Sequence, residues 1–364
     1  MTSDPEKAAQ ETVLAIDAMG GDNGPETVVN GLAKAFRAET DLRAILSGPE
    51  DRLAPLVAGK ADLAGRVEIR HAPAVVAMDT KPRDAARAPD DTSMWATLST
   101  VAEGRAAAAV SCGNTGALML LAAMRLRKAA MVDRPAIAVF WPSRAKGGWS
   151  IALDVGADIR AEPWNLAQFA VMGAEYARIG LDLRRPRVGL LNVGAEDIKG
   201  RPETRAARAL VEHAAEAGAY DFRGFVEGGD LFGDDVDVIV TDGFTGNIAL
   251  KTAEGAAAFI GDELRAAFRH STLSKIAALF AAASLKRMKR RIDPRRVNGG
   301  VFLGLQGAVV KSHGGADATG VAAAVGLAAR MARTGFAESV AAGVARLGAA
   351  PAGEATREPG ALAT

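Results

Sequence analysis

One cysteine, Cys112, stands in 364 residues, which excludes an internal disulfide framework and every zinc site built on clustered cysteines. Aromatic residues are scarce at 5%, whereas glycine occurs 40 times, so short side chains dominate and suit close packing of helices on a sheet. Neither sign of charge prevails: 44 Lys and Arg face 43 Asp and Glu, so no global field recruits nucleic acid or membrane, and any such preference is local. A run of about 18 apolar residues, the length a membrane span needs, is missing. The opening Met1 to Lys7 has neither the basic region nor the apolar stretch of a signal peptide, which predicts a cytoplasmic protein. The chain contains no Gly-x-Gly, no Gly-Lys-Ser/Thr and no Gly-x-Ser-x-Gly, so the dinucleotide fingerprint, the Walker loop and the serine elbow are all excluded. The four histidines, His71, His213, His270 and His313, lie far apart and form no His-Glu-x-x-His motif; neither a metal nor a cofactor is expected. A Ser-His-Asp triad in some other order stays open.

What is present is an alternation of short apolar strands with amphipathic helices. Strands are predicted at Val13–Asp17, Ala44–Ser47, Val67–His71, Ala108–Ser111, Ala136–Trp141, Ser150–Asp154, Arg187–Asn192, Asp221–Val226 and Val236–Thr241. Helices are predicted at Pro25–Ala38, Trp95–Glu103, Ala117–Leu126, Trp164–Ile179 and Glu203–Ala217. This rhythm implies an α/β fold, a three-layer sandwich with a mainly parallel sheet covered on both faces. Residues 1–11 and 349–364 read as frayed tails and 12–348 as a single catalytic domain. The stretch 141–149 either divides two lobes or is a hairpin loop.

The loops after the strands repeat one theme, glycine mixed with Asp, Asn, Ser or Thr. It recurs at 17–25, 111–116, 154–157, 192–200 and 241–247, and the Gly-rich 311–318 offers a sixth wall. Ligands in open α/β sheets bind at the carboxyl ends of strands, so these loops are expected to share one edge and build a composite site. The turn 241–247 is the richest. Val236, Val238, Ile239 and Val240 lead into it as a buried strand, and an amphipathic helix begins by Ile248. Its glycines allow close approach, the helix start offers unpaired N–H groups, and Thr245 and Asn247 add neutral donors. The alternative is an ordinary strand-to-helix turn with Asn247 as its cap. Loop N–H groups, small hydroxyls, amides and one or two cations suit a phosphate or a tetrahedral oxyanion, where catalysis needs positioning and charge stabilisation more than a strong base.

These same residues carry a family resemblance. Asp17-Ala-Met-Gly-Gly-Asp, Ser111-Cys-Gly-Asn-Thr-Gly-Ala-Leu-Met, Asp154-Val-Gly-Ala, Leu190-Leu-Asn-Val-Gly-Ala-Glu-Asp-Ile-Lys-Gly, Asp242-Gly-Phe-Thr-Gly-Asn and Lys311-Ser-His-Gly-Gly closely resemble the acyl-[acyl-carrier-protein]:phosphate acyltransferases of bacterial phospholipid synthesis, over residues 13–330. The resemblance implies transfer of a long-chain acyl group from acyl carrier protein to inorganic phosphate, giving acyl phosphate for the first acylation of glycerol 3-phosphate by a membrane acyltransferase. It also implies a homodimer and a fold like those of phosphotransacetylases and isocitrate-type dehydrogenases. Lys199 and Asn247 fall at the expected catalytic pair, Lys199 neutralising phosphate and oxyanion charge and Asn247 donating a hydrogen bond. Ser111, Asn114, Thr115 and Gly116 are expected at the phosphate or thioester end, with Asp17, Asp242, Thr245 and Gly246 framing it. His313 either protonates the departing thiolate or is a satisfied histidine in a Gly-rich turn. Two positions depart from the family pattern: Asn23 stands where His is frequent, and Cys112 stands where Ala is expected, which makes it a packing residue.

Residues 262–296 have a different character. Leu273, Ile276, Leu279, Phe280 and Ala283 share a helical face, whereas Leu285, Met288 and Ile292 fall on another, which predicts two short helices rather than one. Between 286 and 296 lie seven cations, Lys286, Arg287, Lys289, Arg290, Arg291, Arg295 and Arg296, against Asp293 alone. Such a basic amphipathic hairpin can lie on an anionic bilayer, receive an acidic carrier protein, or pack a dimer; the resemblance favours peripheral attachment to the membrane. Two other functions fit the sequence less well, a metal-dependent decarboxylating dehydrogenase on the same fold and a membrane scaffold that only binds acyl carrier protein. The first lacks a spaced carboxylate cluster and a cofactor loop, and the second leaves the polar loops without a purpose.

Overall fold

The computed structural model describes residues 11–292, without the side chains of 288–292, and residues 299–348. Both predicted tails fall outside them, save Glu11. The first half comprises β1 (Thr12–Asp17), α1 (Gly24–Ala38), β2 (Leu42–Gly48), α2 (Glu50–Ala58), β3 (Val67–His71), α3 (Pro82–Arg87), α4 (Ser93–Ala102), β4 (Ala108–Ser111), α5 (Thr115–Leu126), β5 (Ala136–Pro142) and β6 (Trp149–Leu153). The second half adds α6 (Pro163–Gly180), β7 (Arg187–Leu191), α7 (Pro202–Ala217), β8 (Asp221–Val226), β9 (Val238–Val240), α8 (Gly243–Arg269), α9 (Thr272–Ile292), β10 (Gly300–Leu303), β11 (Ala308–Lys311), α10 (Ala318–Arg333) and α11 (Phe336–Leu347).

Successive side chains of a strand point to opposite faces, and each face here has its own core. Val310, Val238 and Val240 meet Phe36, Phe169, Val211, Val321 and Val340 on the side of α1, α6, α7, α10 and α11. Val309, Ile239 and Phe302 meet Leu98, Leu118, Leu121 and the partly buried Ala249 and Leu250 on the side of α4, α5 and α8. The result is the expected three-layer sandwich.

All eleven strands form one sheet in the order β3-β2-β1-β4-β11-β10-β5-β6-β9-β7-β8. Pairing is parallel from β3 through β11 and again from β6 through β8, but antiparallel at β11–β10, β10–β5 and β5–β6. Three reversals leave β6, β9, β7 and β8 running opposite to β3, β2, β1, β4 and β11. The carboxyl ends of β1, β4 and β11 therefore lie on one edge and those of β6, β7 and β9 on the other. This corrects the expectation that all the polar loops share an edge, and its cause is the antiparallel trio. The stretch 141–149 is the hairpin loop, with Pro142 paired to Trp149 and Ser143 N–H bonded to the Gly148 carbonyl at 3.0 Å.

The helical arm also differs from expectation. Residues 272–292 form one helix, and its partner is the long α8, with the break at 270–271. Its half-buried positions are Gly261, Leu264 and Phe268 on α8 and Ser274, Ala278, Ala281 and Leu285 on α9, a seam of mainly small residues that lets the helices approach. The large apolar residues point away, Leu273 being 76%, Leu279 76% and Phe280 86% exposed. Along 273–285 one helix thus carries two apolar faces, a packing seam and an outward face. Lys289, Arg290 and Arg291 continue α9 but their side chains lie outside the described residues, as do Arg295 and Arg296 altogether.

Candidate active site

On the edge formed by β1, β4 and β11, Asp17 is the hub. Its Oδ1 accepts the N–H groups of Met19 and Gly20, each at 3.2 Å, and the Ser93 hydroxyl at 2.7 Å; its Oδ2 accepts the Ser111 hydroxyl at 2.6 Å. Burial raises the carboxyl above its ordinary range while these four donors pull it down. Ser111 in turn accepts the Gly113 N–H at 3.0 Å. Asp17 and Ser111 thereby order the loops, and their polar atoms are spent within the protein. Gly20 is required here, since a Cβ would sit 2.6 Å from the Gly113 nitrogen.

Asn114 caps α5 by accepting the Ala117 N–H at 2.9 Å, and its amide donates to the Met78 and Thr80 carbonyls. Thr115 and Gly116 follow, both exposed, and their first-turn N–H groups face the open edge with no partner among the described residues. His313 is exposed and accepts the Gly315 N–H on Nδ1 at 3.1 Å. Asn23 ties this edge to the loop before α10 by donating to the Ala316 carbonyl at 2.9 Å. Cys112 is buried, and burial pushes its thiol up, away from the reactive thiolate.

Lys311, which the sequence places in the sixth wall without a role of its own, is a further charged residue here. It closes β11 beside Ser111, is 8% exposed, and donates to the Ser312 carbonyl and, at 3.4 Å, to the Cys112 carbonyl. The signal was a lysine ending an apolar strand.

The opposite edge holds the other predicted residues. Asp154 accepts four N–H groups, from Ile137, Gly156, Ala157 and Asp158, yet burial still pushes its carboxyl up to about 6. Helix α8 begins at Gly243, so most of the supposed turn 241–247 is its first turn. Asp242, and not Asn247, is its cap: Oδ1 accepts the Thr245 N–H and Oδ2 the Thr245 hydroxyl, each at 2.9 Å. Gly243 N–H goes to the Asp158 carbonyl at 2.7 Å and Gly246 N–H to the Asp242 carbonyl at 2.9 Å. Three of the N–H groups expected to form an anion cradle at this turn are therefore taken by the protein's own carboxylate and carbonyls, and Asp242, Thr245 and Gly246 engage one another. At Gly246 a Cβ would collide with the Asp154 carbonyl, so helix and loop touch through backbone.

Asn247 is left free for other work. It is exposed, lies against Gly156, and its amide has no hydrogen bond among the described residues. Lys199 is exposed on the neighbouring loop and pairs with Glu196 at 2.8 Å, which raises its ammonium above the usual lysine range. Asn192 holds that loop, donating to the Gly194 and Lys199 carbonyls. Arg201 then binds it to the Asp242 cap.

The two edges are not independent. Helix α8 climbs across the sheet face from Asn247, and the charge of Lys251, one turn further on, presses on the Lys311 ammonium. The site accordingly consists of two ordered loop groups, with α8 leading from one toward the other.

Comparison with known proteins agrees with this architecture. The family model described as "Fatty acid synthesis protein" matches residues 12–339. The chain is 59% identical to a phosphate acyltransferase of Cereibacter sphaeroides (strain ATCC 17025 / ATH 2.4.3), covering 94% of this chain and 93% of that one. It is 58% identical to a phosphate acyltransferase of Paracoccus denitrificans (strain Pd 1222), covering 92% and 90%. Its fold resembles that of a phosphotransacetylase from Streptococcus pyogenes, with a TM-score of 0.61 at 18% identity over 90% of this chain and 95% of the other. A family model spanning nearly the whole sheet, together with relatives more than half identical along almost their full length, establishes that the chain belongs to the fatty acid synthesis protein family, alongside these phosphate acyltransferases.

Proposed function

We propose that this protein transfers a long-chain fatty acyl group from acyl carrier protein to inorganic phosphate, and that the acyl phosphate goes on to acylate glycerol 3-phosphate. Acyl transfer to phosphate is supported by the family. The observation that carries the site is the uncommitted amide of Asn247 beside the ordered Lys199 loop. A phosphate oxygen attacks the thioester carbon, the C–S bond breaks, and acyl phosphate and thiol result. Asn247 donates to the oxyanion that forms, and Lys199 neutralises charge on it and on phosphate, interactions worth most in the transition state. Thr115 and Gly116 N–H groups hold phosphate or the thioester end, and His313, whose Nε2 has no partner among the described residues, stands near the departing sulfur. Incubation with palmitoyl-carrier protein and phosphate, followed by hydroxylamine trapping, is expected to give hydroxamate that depends on phosphate and on neither nucleotide nor metal. Enzyme-dependent product formed without phosphate, above the direct reaction of hydroxylamine with the thioester, would overturn this reading.

We infer further a cytoplasmic homodimer attached peripherally to the inner face of the membrane, near the acyltransferase that consumes its product, and the α8–α9 arm supports the attachment. Leu273, Ile276, Leu279 and Phe280 face outward beside the exposed Lys275, Lys286 and Arg287, and each cation close to an anionic surface adds about 1 kcal/mol. No helix among the described residues is long and apolar enough to cross a membrane. Sedimentation with vesicles is expected to show binding to anionic and not to neutral lipid; equal binding to both would remove the electrostatic part of this model.

A further inference from the structure

Lys311 is a charged residue in a place that disfavours charge. Among the described residues no carboxylate comes within ion-pairing distance of it, and two of its three protons go to the backbone carbonyls of Ser312 and Cys112. The groups facing it are the Asp17 carboxyl from β1, Asp22 from the loop after β1, the Cys112 thiol from the loop after β4, and Lys251 from α8. It sits in register with Ser111, so it flanks the loop that leads to the exposed N–H groups of Thr115 and Gly116. It also shares with Val309 the sheet face on which α8 packs. Two bonds to adjacent strand ends fix the ammonium at the end of β11, between the Ser111 loop and the helix that carries Asn247.

We propose that Lys311 is a catalytic acid and base for the acyl transfer, giving a proton to the departing thiolate and recovering one from the phosphate. The proposal rests on the acyl-phosphate reading above. Hydrogen phosphate attacks the thioester carbon through oxygen, the new C–O bond forms, and the C–S bond breaks with its electron pair on sulfur. The Lys311 ammonium protonates that sulfur to the thiol. The acyl hydrogen phosphate then loses its proton to the neutral amine, which restores the ammonium and leaves the acyl phosphate dianion. Nothing is consumed beyond thioester and phosphate. An ordinary lysine holds its proton too tightly for such a cycle, but burial pushes Lys311 down to about 8, with Lys251 adding to the effect and Cys112, Asp17 and Asp22 opposing it. The cycle leaves Lys199 and Asn247 to stabilise charge.

The test is the pH profile of hydroxamate formation for wild type, Lys311→Arg and Lys311→Ala. Wild-type kcat is expected to fall on the alkaline side with a midpoint near pH 8. Arginine keeps a buried cation and its donors but does not release a proton in this range, so Lys311→Arg is expected to lose about 100-fold in kcat or more, with the KM for phosphate little changed and no limb near pH 8. Lys311→Ala is expected to recover activity with added small primary amines. Wild-type rate and profile in Lys311→Arg would overturn the proton transfer while leaving acyl transfer intact, and so would a loss confined to KM. Wild type without hydroxamate at any pH would remove the reaction and the proton transfer together. Competitive acetylation of the wild type, read by mass spectrometry, provides a measurement independent of turnover: Lys311 is expected to gain reactivity near pH 8 and to be shielded by inorganic phosphate, and titration in the ordinary lysine range overturns the proposal.

Discussion

Arg201 and Asp242 form an ion pair that joins the loop of Lys199 to the cap of the helix bearing Asn247. Asp242 is 5% exposed and already accepts two bonds from Thr245, whereas Arg201 is half in solvent. The pair therefore does more to set the spacing of two loops than to hold the fold, since a half-exposed pair contributes at most about 1 kcal/mol. Arg201→Ala is expected to lower kcat about tenfold or more with little change in melting temperature. A melting shift as large as that of a core truncation, or unchanged kcat, would refute this division of labour.

Asn247→Ala and Lys199→Ala provide the direct test of the proposed pair. Each is expected to reduce the steady-state rate by well over about tenfold, equivalent to about 1.4 kcal/mol of transition-state stabilisation. Neither side chain is buried, so circular dichroism and melting should match wild type. Cys112→Ala serves as the contrast, since a buried thiol with a raised pKa is expected to be dispensable for turnover.

Asp154 predicts a pH effect on stability. Its folded carboxyl titrates at about 6 against an ordinary 3.8, so between those values the native state holds a proton that the unfolded chain has released. This group's contribution is full below about pH 4 and is lost as pH rises through 6. Denaturant titrations of wild type and Asp154→Asn should diverge across that window and run parallel above it. A difference that does not vary with pH from 4 to 6 would contradict the assignment.

Two glycines of α8 should respond in opposite directions. Gly246→Ala drives a methyl into the Asp154 carbonyl and is expected to lower the melting temperature and impair turnover, because the helix start must move. Gly255 has open space around it, so Gly255→Ala is expected to raise stability by about 0.5–1 kcal/mol through helix propensity. Thermal unfolding of both variants checks the pair.

Much of this architecture was legible beforehand. Val67–His71, Ala108–Ser111 and Asp221–Val226 begin and end as strands where their apolar and turn residues predict. Strands β10 and β11 are absent from the predicted set, because Gly300–Leu303 and Ala308–Lys311 are each only four residues long. The long seam of α8 and α9 was misread for another reason. Apolar periodicity marks every apolar face, and on α9 the large Leu273, Leu279 and Phe280 lie on the outward face while Ser274, Ala278, Ala281 and Leu285 make the seam. At the site, the cap belongs to Asp242, five residues before Asn247, since the helix starts earlier than its apolar pattern does.

The sequence alone determined the layered α/β class, the polar loops after each strand, and the absence of nucleotide and serine-elbow motifs, because these depend on neighbours along the chain. Tertiary structure decided which edge each loop occupies. The direction of β6, β9, β7 and β8 depends on two hairpins, β10 with β11 and β5 with β6, and on the long-range pairing of β10 with β5 that joins them across more than 150 residues. Local capping by Asp242 and one long-range bond, from the Gly243 N–H to the Asp158 carbonyl, occupy most of the expected cradle, while Asn247 has no hydrogen bond among the described residues. Long-range packing also buried the ammonium of Lys311 between two strand ends, where local sequence shows only a lysine after three apolar residues.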